Sequence, residues 1–290
     1  MQTTRKIVIT AVVAVLAAPA LGDWDEGDPH KMHQAQLPDP NGWDVDFYSE
    51  FGLMGQIDRI TYDVSDDWQC TRTGAVTGFH FWVSMREDPT GPNPTDLPFE
   101  IVSVNARIYG NIPQGPGGYS IPDEDDLKWR GYFSPGETLK RVTCRYAGSG
   151  AQGWYDPLWP SEFPDDHENY YQINVTGIEE VPGEIDPPFV QQAGEIYWLE
   201  LDVGAWDIET MLPVDLGWKT ALPPGTPPAN FIDPAVYWLE DVGYGISEYR
   251  QIVIEGLPRD LAFVITPEPG TISMLALASI GVLLRRRRKA

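Results

Sequence analysis

The feature that most constrains this chain is the density of residues that break helices: 28 glycines and 27 prolines among 290 residues. They gather in clusters such as Asp88 to Pro94, Pro113 to Gly118 and Pro223 to Pro228. A helix there would lose main-chain donors to proline and conformational entropy to glycine. Between the clusters lie short runs rich in β-branched and aromatic residues: Ile57 to Val64, Thr77 to Met85, Phe99 to Tyr109, Leu139 to Tyr146, Tyr170 to Val175, Glu195 to Val203, Leu216 to Thr220, Ala235 to Leu239, Tyr249 to Ile254 and Leu261 to Ile265. No helical period persists for three turns. The pattern predicts an all-β fold, an antiparallel β-sandwich of jelly-roll-like kind with long Gly/Pro loops, rather than a βαβ fold.

Alternation assigns faces within these runs. In Leu139 to Tyr146 it sends Val142, Cys144 and Tyr146 to one side and Arg141, Thr143 and Arg145 to the other, so Cys144 is expected to face a core. In Ile196 to Leu201 both faces carry apolar residues, as a strand covered on both sides requires.

The two ends differ from the body. Arg5 and Lys6 precede an apolar run from Ile7 to Ala18 broken only by Thr10, then Pro19-Ala20-Leu21-Gly22-Asp23, the charged, apolar and small-residue order of a signal peptide. Cleavage after Ala20 or after Gly22 satisfies the small-residue rule, with Gly22 preferred, so residues 1–22 are read as the signal. Residues 23–50 read as a polar leader, 51–266 as the β-sandwich domain and 267–290 as a separate C-terminal signal. That last segment carries Pro267, Glu268 and Pro269, an uncharged apolar stretch from Gly270 to Leu284, and then Arg285, Arg286, Arg287, Arg288 and Lys289. Fifteen or so residues rise only ~22 Å, so a transmembrane helix over 270–284 is a short anchor, and the basic block orients the body outward.

A Pro-Glu-Pro tripeptide, a short apolar helix and an Arg block resemble the PEP-CTERM sorting signal. The resemblance implies that Pro267, Glu268 and Pro269 are read by exosortase, a membrane enzyme that cuts near them, that 270–284 is a transient inner-membrane anchor, and that Arg285 to Arg288 stop transfer. More weakly, Ser65 to Cys70, Gly153 to Pro157, Pro188 to Gln192, Ile196 to Leu199, Leu216 to Thr220 and Ala235 to Trp238 resemble an uncharacterised domain of exported proteins bearing the same tail. That likeness implies an all-β body and carries no activity.

Charge and chemistry narrow the function. The chain holds 43 acidic against 20 basic residues, a net −23, and seven of the basic ones lie in the two ends. Such a field disfavours nucleic acid and anionic lipid and favours solubility, cations or neutral glycans. Export places Cys70 and Cys144 where a disulfide persists, and pairing them would close a loop of about 75 residues, worth ~4 kcal/mol in the chain-entropy account. Two separate buried thiols are the other reading. His30 and His33 fall in the leader, His80 alternates with Phe79 and Phe81, and His167 sits in a Pro-Asp-Asp-His-Glu stretch read as a loop. No Gly-x-Ser-x-Gly or His-Glu-x-x-His motif occurs, so no catalytic residue and no metal ligand is assigned. The acidic groups Asp123 to Asp126, Asp63 with Asp66 and Asp67, and Asp165 with Asp166 offer oxygen ligands to Ca²⁺ without the EF-hand spacing, and are read first as solvated charge. Trp154, Tyr155 and Trp159 are the candidates for stacking on sugar rings. The expectation is a non-catalytic protein of the cell surface or exopolysaccharide matrix. A secreted carbohydrate-binding module or carbohydrate-active enzyme is the alternative.

Overall fold

The structure, a computed structural model, describes residues 23–47, 60–88, 90–91, 94–113, 118–134, 141–180, 189–222, 233–241 and 246–267. The expected signal segment 1–22, the expected anchor 270–284, Glu268, Pro269 and Arg285 to Arg288 lie outside the described residues. Within them the fold is all-β, with fifteen strands numbered in chain order and a 3-10 turn at Ile178–Glu180.

Six strands form an antiparallel sheet in the order β12 (Ile246–Gln251), β11 (Val236–Asp241), β2 (Ile60–Gln69), β9 (Ile196–Asp207), β4 (Phe99–Ile112) and β5 (Ile121–Phe133). A second sheet runs β10 (Leu216–Lys219), β1 (Trp43–Asp46), β6 (Val142–Asp156), β7 (Ser161–Thr176), β3 (Gly74–Met85) and β15 (Phe263–Pro267), with β8 (Val190–Gln191) also on β3. A two-stranded ladder, β13 (Val253–Ile254) with β14 (Leu257–Pro258), completes the set. Alternation places Phe79, Phe81, Tyr171 and Ile173 of the second sheet in one apolar cluster with Val64, Trp68, Leu199 and Leu201 of the first. The sheets meet edge to face where Trp68 packs on Phe263 at 6.1 Å between ring centroids and Phe99 on Tyr171 at 5.0 Å. Trp218 is a hub, within about 6 Å of Phe47, Phe81 and Phe263.

The second sheet does not stay open. One half of β3 pairs with β15, but Val83, Ser84 and Met85 pair with Trp218, Gly217 and Leu216 of β10. Since β10 pairs with β1, β1 with β6, β6 with β7 and β7 with the other edge of β3, the five strands form a closed hydrogen-bonded circuit. Only the β1–β6 contact is parallel.

Three expectations are corrected. First, residues 23–47 are not a leader outside the domain. Trp24 and Met32 are buried, Lys31 donates to the Ala75 carbonyl, the Gln172 side chain donates to the Trp24 carbonyl at 2.8 Å, and residues 43–46 form β1. The charged residues of this strap hid the few apolar side chains that dock it. Second, the acidic run Asp123 to Asp126 lies within β5, and His167 lies within β7 rather than in a loop. Third, Cys70 and Cys144 are both free thiols. Cys70 follows β2, its Sγ donating to the Arg72 carbonyl at 3.1 Å, whereas Cys144 belongs to β6 of the other sheet, opposite Ile173. Burial raises both thiols, Cys144 to about 12, which leaves them protonated and unreactive.

Protein unfolded without reductant should therefore release two titratable thiols per chain to Ellman's reagent, while the native protein reacts slowly. A count near zero would mean that the cysteines pair.

Candidate functional site

The five strands of the closed circuit each send one polar side chain to a common centre. Asp44 comes from β1, Ser84 from β3, Gln152 from β6, His167 from β7 and Lys219 from β10, and all are buried. Asp44 Oδ2 accepts from Lys219 Nζ at 3.2 Å and lies 3.0 Å from His167 Nε2. Lys219 also donates to Gln152 Oε1, which accepts from the Ser84 hydroxyl at 3.2 Å. Gln152 in turn donates to the Glu168 carbonyl at 2.6 Å. Three of these contacts, Asp44 to His167, Lys219 to Gln152 and Ser84 to Gln152, join strands that are not ladder neighbours, so the side chains meet inside the circuit. The opposite face carries Val45, Val83, Tyr155 and Trp218 into the main core. Gly217 makes room in the interior, since a Cβ there would come 2.8 Å from the Trp154 ring.

The interior is electrostatically self-contained. Burial opposes a charged Asp44, but the Lys219 ammonium and the His167 hydrogen bond outweigh it and hold the carboxyl below the usual range. Burial also works against a charged His167, yet its bonds to Asp166, at 3.1 Å, and to Asp44 raise it. Burial lowers Lys219 despite Asp44. The ends of the barrel carry aromatic rings: Tyr170 lies under Lys219 Nζ at 5.3 Å, and Arg86 stacks over Trp154 and Phe163. The side chains of Asp44, His167 and Lys219 have no exposed surface. A five-stranded barrel is narrower than the eight-stranded kind whose interior side chains just fill. The arrangement can lock strands together, and its charged side chains are closed to solvent.

What is open lies next to it. A cleft of about 370 Å³ runs between the strap and the face of β3, β6 and β7 that turns away from the main core, with Trp24, Trp82, Tyr146 and Tyr170 beside Arg145 and Gln172. Arg145 is held there by Asp25 at 2.6 Å, by the Gln172 amide oxygen at 2.6 Å and by the Trp24 carbonyl at 3.0 Å.

The stacking residues expected from sequence do not form one platform: Trp154 is 0% exposed inside the barrel, Tyr155 is 4% exposed in the core, and Trp159 is 65% exposed at the tip of the β6–β7 hairpin. His33 packs against β2, accepting from the Gln69 main-chain N–H at 3.3 Å, and burial lowers it to about 4. His80 sits 2.6 Å from Asn174 and is also lowered to about 4 by burial. Of the acidic groups, Asp126 pairs with Lys128 at 2.6 Å, Asp166 with His167, and Asp63 with Arg107 at 3.8 Å. Among the described residues no three His, Cys, Asp or Glu side chains converge to hold a metal.

The outer face of the six-stranded sheet buries acid groups. Burial raises Glu200 to about 8, helped by Asp63 and Glu124 and opposed by Arg107, its ion-pair partner; Tyr109 and Tyr249 also face it. Burial likewise raises Asp66 and Asp67 well above the usual range and Asp260 to about 6.

The barrel network predicts that Lys219→Met, which leaves Asp44 buried without its cation, destabilises the fold by about 3–5 kcal/mol, and that Asp44→Asn with Lys219→Met recovers a substantial part. Urea midpoints of the three proteins measure this. The outer face predicts a pH dependence: between about pH 4 and 8 the unfolded chain has released protons that Glu200, Asp67 and Asp260 still hold in the fold, so stability in chelator-containing buffer falls as pH rises. Asp44, with its depressed value, contributes stability that is lost only as pH falls below about 4. Glu200→Gln should flatten the slope between pH 6 and 8, and an unchanged slope would show that this carboxyl is not its source.

Comparison with known families adds two matches. A family described as a domain of unknown function (DUF7901) matches residues 32–266, from the strap to the last strand, and a PEP-CTERM protein-sorting motif matches residues 266–288. No curated protein and no solved structure matches the chain.

Proposed function

The chain belongs to the DUF7901 family and ends in a PEP-CTERM sorting motif that marks it as a C-terminally sorted exported protein, and from that premise we propose that it is a non-catalytic protein of the cell surface or exopolysaccharide matrix. The observation that carries this reading is where the body stops. The sorting motif starts at residue 266, and β15 is still paired with β3 at Pro267. Processing beside Pro267-Glu268-Pro269 would therefore leave the new C-terminus directly on the edge of a folded domain with almost no linker. Until then, 270–284 would serve as a transient inner-membrane anchor, stopped by Arg285 to Arg288, and an exosortase-type enzyme would be the processing partner. In this reading the two sheets are the layers of a sandwich whose second layer has rolled up, and the body is a durable displayed unit. The closed polar interior supports a structural role, since it offers no approach to a substrate.

A second reading, a carbohydrate-binding module, is favoured by the open cleft, where aromatic rings lie beside Arg145 and Gln172. Aromatic faces with a few fixed polar groups are what sugar rings require.

Replacing Pro267-Glu268-Pro269 by three alanines should leave export intact but keep the Arg-rich tail on the protein, read as intact mass after recovery from the envelope. Unchanged processing would remove the sorting step from this account. For the second reading, matrix polysaccharide should quench tryptophan fluorescence saturably and without turnover. Arg145→Ala should weaken that binding, while cleavage of the polysaccharide would point to an enzyme instead.

A further inference from the structure

β2 alternates so that Val64, Asp66 and Trp68 turn to the core while Ser65 and Asp67 face the other way. The two adjacent aspartates have different surroundings. Asp66 is answered: its oxygens accept from the main-chain N–H groups of Leu261 at 2.7 Å and Asp67 at 2.8 Å, and from the Gln36 amide at 3.3 Å. Asp67 is fully buried, yet neither of its carboxylate oxygens has a hydrogen-bond partner. The Ser65 hydroxyl, two residues earlier on the same face, is also buried and unpartnered, and so is the hydroxyl of Ser120. Ser120 donates its main-chain N–H to Asp233 Oδ1 at 3.4 Å, and Asp233 acts electrostatically on Asp67. Asp233 immediately precedes the stretch leading into β11, which pairs with β2 from Ser65 backwards. The charges that bear most strongly on Asp67 are Asp66, Asp233 and Asp260, all negative.

A buried carboxylate without donors, among three others, is one of the costliest arrangements a protein can hold. It persists only if a proton or a cation neutralises it. A proton would satisfy one oxygen of Asp67 and leave the two serine hydroxyls unanswered. A hard cation would answer all of them together, because every unpartnered atom named here is oxygen and none is nitrogen or sulfur. We propose that Asp67, Asp233, Ser65 and Ser120 form an internal calcium site joining β2 to the segments that lead into β5 and β11. Calcium is favoured over magnesium because it accepts six to eight oxygens in irregular geometry, including hydroxyls, main-chain carbonyls and water, whereas magnesium demands a near-ideal octahedron. Two carboxylates give a modest charge count, which suits the affinity of exported modules that meet calcium outside the cell, a dissociation constant of roughly 10⁻⁴–10⁻³ M.

The test uses the full chain, stripped with EGTA. Trp198 is the cross-strand partner of Asp67, so Tb³⁺ at the site should emit when the indole is excited. Expected are saturable Tb³⁺ emission displaced by Ca²⁺, and a Ca²⁺-dependent rise in the unfolding midpoint. Asp67→Asn should abolish both, whereas Asp63→Asn, at a carboxyl that pairs with Arg107, should keep both. Should Asp67→Asn fail to fold, Ser120→Ala provides the second arm, with Ca²⁺ bound at least tenfold more weakly. Absence of any Ca²⁺ effect over EGTA, or Asp67→Asn that retains displaceable emission, overturns the site. In the first case Asp67→Asn that is more stable than the parent at pH 7.5 would assign the carboxyl a proton instead.

Discussion

Three residue pairs between β3 and β10 decide what the rest of this structure can be. Without them the second sheet would be an open ribbon with β10 at one end and β15 at the other, and its outer face would have to meet water or a cover. With them, Ser84, Asp44, Gln152, His167 and Lys219 are enclosed together, and charges that an exposed sheet would leave in solvent become mutually obligatory. Edge strands are liabilities because their free donors and acceptors recruit other chains, and closure removes two such edges at once. The cost is that an interior group without a partner stays unpaired, as Asp44 Oδ1 and Trp154 Nε1 do.

The same logic divides the molecule into faces with separate tasks. The shared apolar core between the sheets supplies the nonspecific drive to fold, through residues such as Trp68, Phe81, Tyr171 and Trp218. The barrel interior contributes specificity, because its bonds form only in one register. The cleft under the strap is open at the surface, and the strap that walls it is the segment just after the expected signal. The shape of the cleft and the docking of the strap are thus one structural question, since Trp24 both docks the strap and borders the cleft.

Much of the framework was legible in the sequence for a plain reason. β3, β4, β9 and the core half of β7 have one face against the apolar core, so alternation of Phe79, Phe81 and Val83, or of Leu199, Leu201 and Val203, was visible. The strands that were missed or truncated carry polar residues inward or sideways. β5 opens with Ile121-Pro-Asp-Glu-Asp-Asp, which reads as a loop, and its pairing with Asn111 and Ile112 across register shifts has no local signature. The first half of β7 contains Pro164-Asp-Asp-His, and its histidine is paired with Asp44, more than a hundred residues away in sequence. Trp154 and Tyr155 looked like neighbours on an exposed loop because strand alternation inside a closed barrel sends them to two different interiors. Lys219 offered the one hint: a lysine in the apolar string Leu-Gly-Trp-Lys-Thr is costly unless something distant pairs with it. What that partner is cannot be read from a string, because closure is a relation among five strands.

The placement of β15 has a mechanical meaning. It lies between β3 on one edge and the N-terminal strap on the other, where Lys31 N–H donates to the Ile265 carbonyl at 2.9 Å and Gln36 N–H to the Phe263 carbonyl at 3.3 Å. A molecule tethered just beyond Pro267 and dragged by flow or by a neighbouring cell would be loaded along the axis of this strand. The bonds on both edges would then bear the force together, as in a lap joint, instead of opening one after another like a zipper. Survival under such a load is a matter of unfolding rate and not of equilibrium stability. The strand next to the sorting motif is therefore stitched into the fold from both sides at the point where such tension would enter.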